Sequence, residues 1–180
     1  MYIRIAFLFL VLGSLLVPSC KKDKNGPGSA NDLPLGTLQF KADGQEYSFS
    51  GLFGQNIELP DNGVLLKDFA IIALDVTTQD QFDFHVHYTN SPPPKAGVAY
   101  ETSDSDCEMV SNIICPSFIF IQGGTNAYIS DIMGGKAYVK FSVLELNGGE
   151  ATGEFTGTLL ENNTGNGVEI TEGLFHVKVL

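Results

Sequence analysis

The sequence predicts an all-β fold, an antiparallel β-sandwich of about nine or ten strands, on three observations. From Thr37 onward apolar residues recur at every second position, the spacing of strands with one face in a core. Clusters of Gly, Asn, Asp and Pro cut that pattern at short intervals, as turns between antiparallel strands do. Nothing beyond the Cys107 region has apolar residues at helical spacing, and there they are Met109, Val110, Ile113 and Ile114. A closed β-barrel meets the same conditions and stays open as the alternative.

Thr37 to Ala42 alternates with Leu38, Phe40 and Ala42 on one side. Asp43-Gly44 is a type I′ turn signal, and Tyr47 and Phe49 resume the pattern. Asp68 to Val76 is a nearly continuous apolar strand, expected near the middle of a sheet. Thr77 to Asp80 turns the chain into Gln81 to Tyr88, where Phe82, Phe84, Val86 and Tyr88 face one way. Pro92 to Pro94 lack the donors a central ladder needs and mark a loop. Further strands are expected at Ser117 to Gln122, Lys136 to Leu146, Ala151 to Leu160 and Val168 to Val179, split by glycine- and asparagine-rich turns.

The N-terminus reads as an export leader. Arg4 gives a positive start, and Ile5 to Val17 is an apolar run of 13 residues. That length suits a signal-peptide core and falls short of the ~18 residues of a spanning helix. Val17-Pro18-Ser19-Cys20 resembles the lipobox of bacterial lipoproteins. The resemblance implies removal of residues 1–19, palmitate-type acylation of Cys20 and anchoring in the outer membrane. Two or three acyl chains, at ~0.8 kcal/mol per buried CH₂, hold stably where one does not. Residues 20–34 then form the lipidated cysteine and a flexible tether reaching roughly 20 Å, and residues 35–180 a single β domain. Lys21-Lys22-Asp23-Lys24 is similar to the charged surface-export signals of some Bacteroidota lipoproteins but has a single acid, so the periplasmic and outer faces both stay open.

The domain carries six lysines and no arginine against 19 acids, a net charge of −13. Nucleic acid and anionic headgroups need a positive patch and are disfavoured as partners. Cys107 and Cys115 remain as an even pair in an exported chain. A bridge between them would close a nine-residue loop worth about 2.6 kcal/mol. A regular helix over the same residues would hold them about 12 Å apart, beyond the ~7 Å a disulfide tolerates. The disulfide-closed loop is the preferred reading of the two.

The last strands carry a wider resemblance. Gly153, Phe155, Gly157, Thr158 and Leu159 form a GxFxGTL strand, followed by Ile170, Thr171, Gly173 and Phe175 in an ITxGxF strand. With the opening hairpin around Asp43-Gly44, these segments resemble a family of small uncharacterised Bacteroidota outer-membrane lipoproteins. The resemblance implies a β-sandwich envelope lipoprotein, with glycines at bulges and aromatics in the core. It brings no activity and no catalytic residues.

One constellation has metal-binding chemistry. On a strand, Asp83, His85 and His87 share a face with ~6–7 Å between successive Cα atoms. Two imidazoles and a carboxylate are suitable donors for zinc, and His176 would complete the set if the last strand pairs with this one. The same residues equally form the polar row that alternation puts toward solvent, continued by Gln81 and Thr89. Asp104, Asp106 and Glu108 alternate too, but without the turn glycine and distal glutamate of a calcium loop they read as a solvated acidic loop. The G-x-S-x-G, H-E-x-x-H and phosphate-loop motifs are missing.

These features together point to a lipid-anchored envelope protein that binds or scaffolds and is not an enzyme. Its partner would be another envelope protein or a glycan, with Tyr47, Tyr88, Tyr100, Tyr128 and Tyr138 as the available sugar platforms. No cofactor is expected beyond the lipid on Cys20. The alternative is a metal-binding protein or metal-assisted hydrolase using His85 and His87.

Overall fold

The structure is a computed structural model that describes residues 28–61, 64–103, 113–132, 134–161 and 164–180. It is all-β, with one short 3₁₀ turn, Ala30–Asp32, among the described residues. The strands are β1 (Thr37–Ala42), β2 (Gln45–Phe49), β3 (Phe53–Asp61), β4 (Val64–Asp75), β5 (Asp80–His87), β6 (Ala99–Ser103), β7 (Cys115–Gln122), β8 (Asn126–Ile129), β9 (Lys136–Leu144), β10 (Glu150–Glu161) and β11 (Gly167–Val179). Among these residues no helix is long and apolar enough to cross a membrane.

The eleven strands form one mixed sheet in the order β2-β1-β11-β3-β4-β5-β7-β8-β10-β9-β6, with a further pairing of β11 to β10. Two details differ from the sequence expectation. Among the described residues there are eleven strands, of which β3, β6 and β8 were not read from the sequence. The pairing is also not wholly antiparallel: Lys178 and Val179 of β11 run parallel to Phe53 and Gly54 of β3. Beyond Gly54, β3 pairs along its length with β4 alone. An open edge of that kind tolerates Pro60.

Local chemistry explains the joints. Asp43 and Gly44 both have positive φ, 48° and 82°, the requirement of the type I′ turn that joins β1 to β2. Between β4 and β5, Asp75 Oδ1 accepts from the backbone N–H of Thr77 at 2.8 Å and of Thr78 at 3.3 Å. In β10 and β11 the glycines make room for rings. A Cβ on Gly153 would lie 2.7 Å from the Phe175 ring, and one on Gly173 would lie 2.5 Å from the Phe155 carbonyl oxygen.

Alternation builds a core of rings. Phe69, Phe82, Phe84, Phe118, Phe120, Phe141, Phe155 and Phe175 are all essentially inaccessible to solvent. Phe155 of β10 meets Phe82 at 5.4 Å and Phe84 at 5.6 Å, so strands far apart in the pairing order meet across the interior. Burying each such side chain contributes about 1.5–3 kcal/mol. The outward positions of β3, β4, β5 and β7 form a separate face, and the candidate site lies on it.

The end of the expected tether is docked on the domain. Ser29 caps the 3₁₀ turn, and Ala30 is buried. Thr152 Oγ1 donates to Asn31 Oδ1 at 3.2 Å, and His176 Nδ1 lies 2.8 Å from the Leu33 carbonyl oxygen.

Candidate functional site

The β4–β5 register decides which residues meet. Asp75 pairs with Asp80 across the turn, which sets Ala70 opposite His85 and Asp68 opposite His87. Asp68, His85 and His87 therefore share the outer face, side by side on two neighbouring strands. On the other flank of β5, Ser117 lies opposite His85 and Cys115 opposite His87.

The three side chains form a tight group. His85 Nδ1 is 2.6 Å from Asp68 Oδ2, and His87 Nδ1 is 3.4 Å from Asp68 Oδ1. The two imidazole rings stack with centroids 5.6 Å apart and planes 15° from parallel. All three are largely covered, with side-chain exposures of 15% for Asp68, 24% for His85 and 22% for His87. Asp68 Oδ1 is buried and takes no hydrogen bond among the described residues. One donor atom from each residue lies within 4.8 Å of the others, the only such histidine, cysteine and carboxylate group among the described residues.

The two histidines are driven in opposite directions. Burial works against the His85 imidazolium, but the hydrogen bond and charge of Asp68, helped by Asp83 and Asp131, outweigh it and raise its pKa above 6.5. For His87 burial wins: Asp68 and Asp131 only partly offset it, His85 adds repulsion, and the pKa falls below 6.5.

This arrangement corrects the ligand set expected from sequence. Asp83 shares the face but lies outside the group, accepting from Gln81 Nε2 at 2.8 and 2.9 Å. His176 is not a neighbour of β5, because β3 and β4 separate β11 from it. It bonds the Leu33 carbonyl and lies 3.2 Å from Glu150 Oε2, seating the N-terminal segment instead. Asp68 is the carboxylate that sequence reasoning missed, because placing it beside His87 needs the register of the hairpin closed at residues 76–79. Cys107 lies outside the described residues, as do Asp104, Asp106 and Glu108; Cys115 is buried at the head of β7.

One side of the group is bordered by aliphatic residues, with Lys67 and Thr89 beside them. Ile57 pairs with Asp68 and Leu59 with Leu66, and these aliphatic residues line a cleft of about 280 Å³ together with Asp68, His85 and His87. Further along the face, Ile72 and Leu74 are 55% and 56% exposed, with Phe53 exposed near them. Ile119 and Ile121 stand across β5 from these two, opposite Asp83 and Gln81. Two of the expected sugar platforms are not on any surface, since Tyr47 and Tyr88 are core residues.

No family model, curated protein or solved structure matches the chain.

Proposed function

We propose that this chain is a lipid-anchored protein of the bacterial outer membrane, held by acyl chains on Cys20, whose β domain binds another envelope protein and catalyses nothing. The observation that carries the binding role is the outer face of β3 and β4, where Phe53, Ile72 and Leu74 are exposed near one another. Alternation would put polar residues there, and an exposed group of large apolar side chains marks an interaction surface. With Ile72 and Leu74 beside a single ring, Phe53, the face favours a protein over a glycan, which would stack on several aromatic platforms. Within a domain of net charge −13, the fitting partner surface has an apolar centre and a basic rim.

The same reading takes the fold as a sandwich. One layer would be β2-β1-β11-β10-β9-β6 and the other β3-β4-β5-β7-β8, meeting at two corners of two register pairs each, β11–β3 and β10–β8. Rings from both layers fill the space between, which argues against a ligand-carrying barrel. A Cys107–Cys115 bond would clasp the strand edge beside His87.

The test uses intact cells producing the full chain with a benzophenone-bearing residue at position 74. Irradiation is expected to give one discrete protein adduct from the membrane fraction. The adduct should vanish in an Ile72→Asp background and be absent when the probe is at position 154, on the exposed side of β10. Cys20→Ala should abolish acyl labelling and release the chain from the membrane. Equal adducts at both probe positions would refute the binding face; a labelled, membrane-bound Cys20→Ala chain would refute the anchor.

A further inference from the structure

We propose that Asp68, His85 and His87 bind a divalent transition-metal ion of the zinc class, with a coordination position left open toward the cleft of Ile57, Leu59 and Leu66. The inference goes beyond the partner-binding face and stands whether or not Cys20 is acylated.

The donor set comes first. Two imidazoles and one carboxylate, without thiolates or a ring of oxygens, suit zinc, cobalt or nickel and not calcium. Three protein ligands leave room for a fourth, the pattern of zinc sites that keep an exchangeable position.

Spacing comes next. Bonds of about 2.0–2.2 Å in a tetrahedral arrangement place donors about 3.4 Å from one another. His87 Nδ1 and Asp68 Oδ1 stand at 3.4 Å. His85 Nδ1 and Asp68 Oδ2, at 2.6 Å, have to part by about 0.8 Å. Small side-chain rotations accomplish that without moving either strand. The strands themselves are inner members of the sheet with neighbours on both sides, so the platform is stiff.

The decisive point is the second carboxylate oxygen. A simple histidine–aspartate pair uses Asp68 Oδ2 and His85, which accounts for half of the arrangement. It leaves Asp68 Oδ1 buried and without a hydrogen-bond donor, facing a second imidazole. A buried acceptor left unpaired costs about 1–3 kcal/mol. A cation held by the Asp68 carboxylate and the nitrogens of His85 and His87 would give Oδ1 the partner it lacks. An ordinary solvent-facing polar row has no such deficit, because its atoms reach water.

The experiment uses the full chain in detergent, purified without chelator and without a histidine tag, then stripped and titrated with Zn²⁺ by calorimetry. One ion per chain is expected, and Co²⁺ in its place should give the intense visible bands of a four- or five-coordinate site. His85→Ala and His87→Ala are each expected to weaken Zn²⁺ binding by about 100-fold and Asp68→Asn by at least about tenfold. Asp83→Asn and His176→Ala should leave it unchanged. At equal Zn²⁺ the thermal midpoint should rise more for the wild type and these two controls than for the three ligand variants. Should His87→Ala fail to fold, His87→Gln keeps the volume and removes the ligand nitrogen. Absence of stoichiometric Zn²⁺ binding overturns the proposal, as does affinity unchanged by the combined His85→Ala, His87→Ala substitution.

Discussion

The two faces of the β4–β5 hairpin come from alternate residues of the same two strands, yet they obey different rules. The inner face carries Phe69, Ile71 and Ala73 against Phe82, Phe84 and Val86, none with any measurable exposure. The outer face carries Asp68, Ala70, Ile72 and Leu74 against His87, His85, Asp83 and Gln81. It mixes a largely covered charged group with Ile72 and Leu74, which are open to water. Inside, every residue is explained by packing. Outside, the residues run against what packing and solvation ask of a solvent face, and that departure is where function is to be sought.

The sharpest test of the contrast is truncation on each side. Phe84 touches Phe118 at 5.1 Å and Phe175 at 5.2 Å, so Phe84→Ala opens a void bounded by rings that cannot collapse into it. A loss of about 3–5 kcal/mol in urea unfolding is expected. Leu74→Ser, on the outer face, should move stability by no more than about 0.5 kcal/mol. If the two losses were equal, the outer face would be part of the core and the comparison would fail.

A second way to press on it lies across the interior, where Phe155 and Phe175 fill space that glycines vacate. Gly173→Ala would put a Cβ 2.5 Å from the Phe155 carbonyl oxygen and 2.7 Å from its ring. Overpacking of this kind costs about 1–3 kcal/mol, measurable as a lower urea midpoint with an unchanged slope. The register between β10 and β11 shifts between Phe155 and Gly157, and both rings are completely buried.

Much of this was legible because the physics was local. Leu38, Phe40 and Ala42 alternate and Asp43-Gly44 takes positive φ, so β1 and β2 follow from neighbouring residues alone. The strand β3 was hidden because Gly54, Gln55, Asn56 and Pro60 weaken its pattern, and β4 supplies the ladder that makes it a strand. The four-residue β8 is likewise defined by its partners, β7 and β10. The candidate site was half legible. His85 and His87 lie two apart on one strand, so their shared face could be read directly. Their carboxylate could not, because choosing Asp68 over Asp83 needs the register of a neighbouring strand, and rejecting His176 needs the order of the whole sheet.

The Asp75 turn closes the β4–β5 hairpin, and the smallest expected effect tests its hydrogen bonds. Hydrogen bonds from the backbone N–H groups of Thr77 and Thr78 hold the Asp75 carboxylate below its ordinary pKa of 3.8. With a folded pKa beneath the unfolded one, the carboxylate adds stability at pH values above 3.8, and that contribution disappears as pH falls through the folded value. Asp75→Asn removes the charge at every pH. Wild type should therefore be slightly more stable than Asp75→Asn at pH 7, and the gap should narrow in paired urea titrations below about pH 4. A one-residue slip in this hairpin would carry Phe82 and Phe84 outward and His85 and His87 into the core. The Asp75 turn is too exposed to prevent that by its own energy. The buried rings do so, which is why a gap that stayed constant with pH would count against the turn's hydrogen bonds and leave the assignment of the two faces intact.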